Sequence, residues 1–274
     1  MATLNLRRFD INKIVKGNIV MLIGKKNTGK SYITKRIIYQ QRDIPIACVI
    51  SATEEENKFF GNMMPPIFIH YEYSSEIITR LLKRQKLVIA KMNKQKEQYG
   101  KSDIDPNCLL VLDDCLYDNS WGKDQNMRRI FMNGRHHKIT MIFTSQFSLG
   151  IGPNLRAQVD FVFILRETYI SNRKRLYEHY AGMFPSFDIF CQVMDQCTED
   201  YNCLVIDNTT KSNKLEEQIY WYKADETPEF TLGAPKFWQY SNDNYNPDNT
   251  EEDDNIDNMG RKKNYQEIQV KKSY

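Results

Sequence analysis

Ile19-Val20-Met21-Leu22-Ile23 runs directly into Gly24-Lys25-Lys26-Asn27-Thr28-Gly29-Lys30-Ser31. The first five residues form an apolar run of strand length, and the next eight satisfy GxxxxGK[ST]. A helical pattern follows over residues 30–41, so the order is strand, glycine-bounded loop, helix. This order lets successive backbone N–H groups turn inward onto phosphate oxygens, while the helix presents its positive end. Gly24, Lys25, Lys26, Asn27, Thr28, Gly29, Lys30 and Ser31 are therefore the expected phosphate cradle. Lys30 would reach the β- and γ-phosphates and Ser31 would place a hydroxyl on Mg²⁺, with Lys25 and Lys26 adding only positive potential.

Outward from this stretch, short apolar runs alternate with helical ones. Strands are expected at 18–23, 45–51, 67–71, 108–113, 138–145, 160–166, 202–207 and 218–223. Helices are expected at 30–41, 124–135, 172–181 and 187–197. The alternation argues for an α/β fold with a mainly parallel central sheet covered by helices on both faces. Residues 74–101 read as a long amphipathic helix, with Ile77, Ile78, Leu81, Leu82, Val88, Ile89 and Met92 as its apolar stripe. Its outer face carries Arg80, Lys83, Arg84, Lys86, Lys91, Lys94, Lys96 and Lys101 against Glu76 and Glu97. Such a face is either a solvated surface or a nucleic-acid track.

The 274 residues carry 38 Lys+Arg and 35 Asp+Glu, a formal charge of +3. That small sum hides a segregation. Residues 241–258 hold seven acids, six asparagines and no base, and residues 261–274 hold five bases and one acid. With almost no apolar content, 241–274 is expected to be a disordered tail, leaving 1–240 as one basic domain. No apolar run reaches the roughly 20 residues of a membrane-spanning helix, and no secretory signal is evident. The chain is expected to stay inside a cell. Its six cysteines form no CxxC pair and read as reduced thiols. The spacing Cys191, Cys197, Cys203 with His179 upstream does not match the short spacings of usual zinc modules.

Two further strands end in polar residues. Cys108-Leu109-Leu110-Val111-Leu112-Asp113-Asp114 places two carboxylates at a strand end, where the edges of parallel strands coincide. Asp113 would hold Mg²⁺ directly or through water, and Asp114 would polarise an attacking water. Ile139-Thr140-Met141-Ile142-Phe143-Thr144-Ser145 leads into Gln146, whose amide can bond both γ-phosphate and water. Arg135, in Gly134-Arg135-His136-His137-Lys138, occupies an exposed junction from which it could reach a neighbouring subunit's nucleotide as an arginine finger. Arg156 is the second candidate.

These motifs, in this order, resemble those of the FtsK/HerA class of ring-forming DNA-pumping ATPases. The likeness is greatest to the virion DNA-packaging ATPases of nucleocytoplasmic large DNA viruses, the poxvirus-type packaging ATPases. It rests on the phosphate loop, Asp113-Asp114-Cys115-Leu116-Tyr117-Asp118, Phe131-Met132-Asn133-Gly134-Arg135-His136, Thr144-Ser145-Gln146, Ile164-Leu165-Arg166-Glu167 and Gly182-Met183-Phe184-Pro185-Ser186-Phe187. It spans roughly residues 8–233.

The resemblance implies a P-loop NTPase of RecA-like (ASCE) type that binds ATP and Mg²⁺. It further implies an oligomeric ring of five or six subunits that moves double-stranded DNA, a docking partner on capsid or membrane portal, and a place in the virion and at viral assembly sites in the host cytoplasm. Lys30 and Ser31 become phosphate and Mg²⁺ contacts, Asp113 the metal-binding acid, Asp114 the water activator, Gln146 the sensor and Arg135 the finger. Many members of the wider class carry Glu where this chain has Asp114, so either Asp114 alone or Asp113 and Asp114 together activate the water. Three rival readings stay open. They are a nucleotide or nucleoside kinase whose lid is the Arg166–Arg175 patch, a GTP switch lacking a matched guanine motif, and a non-catalytic ATP-binding scaffold.

Overall fold

A computed structural model describes residues 4–115, 121–146 and 151–246. Eight strands form one sheet in the order β3-β2-β4-β5-β1-β6-β7-β8. They are β1 (Ile19–Ile23), β2 (Ala47–Ser51), β3 (Ile69–His70), β4 (Cys108–Asp113), β5 (Ile139–Ser145), β6 (Phe161–Ile164), β7 (Cys203–Asp207) and β8 (Ile219–Tyr222). Strands β3 through β6 of that order pair in parallel, and β7 and β8 close the far side antiparallel. The helices are α1 (Lys30–Gln40), α2 (Glu54–Asn57), α3 (Ser75–Tyr99), α4 (Gln125–Asn133), α5 (Pro153–Arg156), α6 (Ile170–Tyr180), α7 (Phe187–Cys197), α8 (Leu215–Gln218) and α9 (Pro235–Asn244).

Every residue of β1 is buried, as expected of a central parallel strand covered on both sides. The period of two still sorts its side chains. Ile19, Met21 and Ile23 pack on the face covered by α3, α4, α6 and α7, through residues such as Ile78, Ile130, Leu176 and Phe190. Val20 and Leu22 pack on the other face, against Ile33, Ile37 and Ile38 of α1 and Phe9 of the amino-terminal segment. The expected mainly parallel sheet with helices on both faces is therefore the observed architecture.

Three expectations shift. Of residues 67–71 only Ile69 and His70 are extended, because Pro65 and Pro66 start a 3₁₀ turn through Phe68; proline has no N–H to donate to a ladder. Val88 and Ile89 are only half-buried and Leu87 is exposed, so beyond Gln85 only Met92 of α3 is buried. Twenty-five helical residues span about 38 Å, whereas a six-residue strand spans about 20 Å, and the helix outruns the sheet it packs on. The ordered body also extends past residue 240. Helix α9 runs to Asn244, and Ser241 is fully buried with its hydroxyl accepting the Ile67 N–H at 3.3 Å. The rest of the expected tail, 247–274, lies outside the described residues.

Candidate active site

Strand β5 lies between β1 and β4, so the carboxyl ends of three strands meet side by side. In register, Ile23 of β1 faces Ser145 of β5, and Phe143 of β5 faces Leu112 of β4. The phosphate loop that follows Ile23 and the acids that end β4 are thus two strand spacings apart, roughly 10 Å, with Thr144, Ser145 and Gln146 between them.

Chain geometry explains the glycines of the loop. A side chain at Gly24 would place a Cβ within 2.7 Å of both Leu165 Cβ and Thr28 Oγ1, and Gly29 sits at φ +102° in the left-handed region. Asn27 is left-handed too, at φ +61°. Thr28 donates its hydroxyl to the Lys25 carbonyl at 2.7 Å, closing the loop on itself. Lys30 folds back along it, donating to the Gly24 and Lys25 carbonyls. Burial depresses the Lys30 pKa, opposed by the attraction of Asp114 and Asp113, which puts the ammonium in the field of both acids. Ser31 is exposed at the start of α1.

Asp113 is gripped by two hydroxyls. Thr144 donates to Oδ1 at 2.8 Å and Ser51, the last residue of β2, to Oδ2 at 3.2 Å. Burial still pushes its carboxyl above the usual range, the two hydroxyls and Lys30 pulling the other way. Asp114 is held in the left-handed region at φ +50°, a backbone state that costs a non-glycine residue about 1–2 kcal/mol. Its N–H donates to Thr144 Oγ1 at 3.0 Å, and its Oδ2 accepts the Gln146 amide at 2.8 Å. One threonine hydroxyl therefore positions both acids. Ser51 and Thr144 were not singled out by their types. The signal that finds them is their place, as polar residues ending apolar strands at the edge where the phosphate loop begins.

The other expected residues lie elsewhere. Arg135 stands between α4 and β5, at the amino end of the sheet, about 20 Å from the phosphate loop of its own chain. It pairs with Asp160, a nearly buried carboxylate that also accepts the Ile19 N–H at 2.8 Å. Arg156 donates to the Ile151 carbonyl at 2.7 Å and lies 3.3 Å from His179 Nδ1, inside its own chain. Neither arginine joins the phosphate loop; Arg135 is exposed but ion-paired to Asp160, and Arg156 is half-buried. Lys25 does more than add potential: its ammonium pairs with Glu167 at 2.6 Å and caps the Tyr169 ring at 3.6 Å. Burial raises the Glu167 carboxyl but Lys25, the Tyr169 N–H and Asn172 outweigh it, leaving a net depression. The Cys115 thiol is buried and pushed up to about 12, so it packs as a neutral group. Leu116, Tyr117 and Asp118 of its motif lie outside the described residues.

The residues fit a nucleotide-bound Mg²⁺. Such an ion keeps waters and takes only one or two protein ligands beside the phosphates. Ser31 and Asp113 would supply that set, although among the described residues no group of three or more His, Cys, Asp or Glu could hold a metal by itself.

No family model matches the chain. It is 39% identical over 244 residues to the uncharacterized protein L437 of Acanthamoeba polyphaga mimivirus, covering 89% of this chain and 85% of that one. It is 35% identical over 257 residues to protein 075L of invertebrate iridescent virus 6, covering 88% and 95%. Among solved structures, the genome packaging NTPase B204 of Sulfolobus turreted icosahedral virus 2, bound to sulfate, matches at TM-score 0.53 and 15% identity over 78% of this chain and all of that one. EssC of Geobacillus thermodenitrificans, in its second and third ATPase domains, matches at TM-score 0.51 and 12% identity over 77% of this chain and 41% of that one. The chain belongs to the family of large-DNA-virus proteins that includes mimivirus L437 and iridescent virus 075L, with the fold of the FtsK/HerA class of P-loop ATPases.

Proposed function

We propose that the protein hydrolyses ATP and uses the energy, as a ring of identical subunits, to move double-stranded viral DNA into the virion. The observation that carries the hydrolytic reading is the placement of Asp114 and Gln146 around Thr144, between the acid strand β4 and the phosphate-loop strand β1. The two strand spacings between the phosphate loop and Asp114 leave room for a γ-phosphate and an attacking water, beside an Asp114 carboxylate and a Gln146 amide that are hydrogen-bonded to each other. Lys30 leaves the loop carbonyls for the β- and γ-phosphates when nucleotide enters, and loop N–H groups with the α1 amino end hold the remaining charge. Asp114 accepts a proton from the water while Gln146 orients it. Ser31 and Asp113 would hold a Mg²⁺, which would supply charge neutralisation at the phosphates.

The kinase reading is weakened at one residue of its Arg166–Arg175 lid. Arg173 is buried, donating to the Glu167 carbonyl at 2.6 Å and pairing with Asp195 at 2.5 Å, so it is a fixed part of α6 rather than a mobile cover. For translocation, the reading is supported by the virus relatives, by the packaging NTPase among the fold neighbours and by the basic side of α3. There Lys83, Lys86, Lys91, Lys94 and Lys96 are all exposed, as needed to grip phosphates without reading sequence. Arg135 would act as a finger only by leaving Asp160 for a neighbouring subunit's nucleotide. No helix among the described residues is long and apolar enough to cross a membrane.

ATP turnover with and without linear duplex DNA tests this. DNA should accelerate hydrolysis, and the acceleration should weaken as salt rises. Transfer of the phosphate to a nucleoside or nucleotide, indifferent to DNA, would refute it.

A further inference from the structure

The site as described accounts for the triphosphate but not for the nucleoside. On the proposed function the γ-phosphate would face β5 and β4, where Asp113, Asp114 and Gln146 sit, and the nucleoside would leave the phosphate loop on the opposite side, toward β6 and β7. That side is built from two close contacts. Leu165, just after β6, touches Gly24, and the Tyr201 ring, just before β7, lies beside Gly29, with Tyr201 Cδ1 3.5 Å from where a Gly29 Cβ would stand.

Tyr201 is 66% exposed. Among the described residues no aromatic or cationic side chain covers its ring, whereas the Tyr169 ring nearby is already capped by Lys25. Both Asp200 and Tyr201 are left-handed, at φ +47° and +62°. The turn is closed by Asn202, whose backbone N–H and side-chain amide both donate to the Glu199 carbonyl at 2.8 and 2.6 Å. The fold thus holds a bare aromatic ring against the phosphate loop on the side from which the nucleoside departs.

We infer that Tyr201 is the platform on which the base of the bound nucleotide stacks. The inference rests on the phosphate-loop reading above and adds the residue that recognises the nucleoside end. Stacking engages the face of any base, so the ring secures a nucleoside triphosphate over inorganic polyphosphate without itself choosing adenine over guanine.

The test compares ATP with tripolyphosphate, each with Mg²⁺, on the full chain by calorimetric titration. Tyr201→Ala should weaken ATP about ten-fold and leave tripolyphosphate unchanged, while Tyr201→Phe and Tyr201→Trp should keep ATP within about two-fold. Melting temperature should be the same in all, since the ring is exposed. Unchanged ATP affinity in Tyr201→Ala would overturn the inference. So would a parallel loss for tripolyphosphate, which would make the ring a support for Gly29. A native chain that binds neither ligand would instead bring down the phosphate-loop reading itself.

Discussion

The two ends of one sheet carry two polar networks of opposite character. At the amino end, Asp160 is satisfied by the Arg135 guanidinium and the Ile19 N–H, and Thr140 accepts the Gly17 N–H at 2.8 Å. Every charge there meets an opposite charge or a donor. At the carboxyl end, Asp113 and Asp114 face each other across Thr144 with only hydroxyl and amide donors in contact, Lys30 is turned onto backbone carbonyls, and Asp114 sits in a strained backbone state. The first network is complete without a ligand and fastens three strand starts. On the proposed function, the second would be completed by a group that brings negative oxygens to Lys30 and a cation to Asp113. A closed network reports on stability, an open one on chemistry, and substitutions should separate them.

The largest effect on stability belongs to the closed network. Asp160→Ala strands the buried Ile19 N–H and frees the solvent-exposed Arg135 guanidinium, and should cost about 2 kcal/mol, a fall of roughly 4–8 °C in melting temperature. Thr144→Val strikes the open network. It should lower kcat ten- to hundred-fold at a cost of about 1 kcal/mol in stability, with Thr144→Ser recovering most of the rate. Arg135→Ala tests whether the closed end also serves a neighbour. Mixed with Lys30→Ala subunits, it should restore part of the hydrolysis that each variant lacks alone; no recovery in an assembled mixture would confine Arg135 to its own chain.

The smallest effect is on pH dependence. Burial raises the Asp113 carboxyl, so between its ordinary and folded pKa the folded chain holds more protons than the unfolded one. Its contribution is fully present below the unfolded pKa and is lost as pH rises through the folded value. In nucleotide-free protein, Asp113→Asn should therefore keep or raise the melting temperature at pH 7 and flatten its decline above pH 4. A lower melting temperature at pH 7 would show that the carboxylate is held by a cation instead.

Legibility in the sequence follows the same division. The sheet was readable because strands buried on both faces are apolar along their whole length, and the phosphate loop because glycine and lysine positions are fixed by steric and charge demands within eight residues. The meeting of Gln146 and the acid pair at neighbouring strand ends was readable because polar residues interrupt these apolar strands at their ends. The partners of Arg135 and Arg156 were not: Asp160 is 25 residues from Arg135 and His179 is 23 from Arg156, and nothing local tells an exposed arginine from one recruited by a distant carboxylate. The Lys25–Glu167 pair was hidden for the same reason. Tyr201 is illegible as a binding residue because its contact with Gly29 exists only after β7 is laid antiparallel beside β6.

Asp114→Asn, measured for both melting temperature and ATP turnover, tests the open-network claim most directly. The account predicts that the variant keeps the native melting temperature within a degree or two, still binds ATP, and loses at least about 10³-fold in turnover. Turnover within ten-fold of native, or a loss of stability like that of Asp160→Ala, would contradict it.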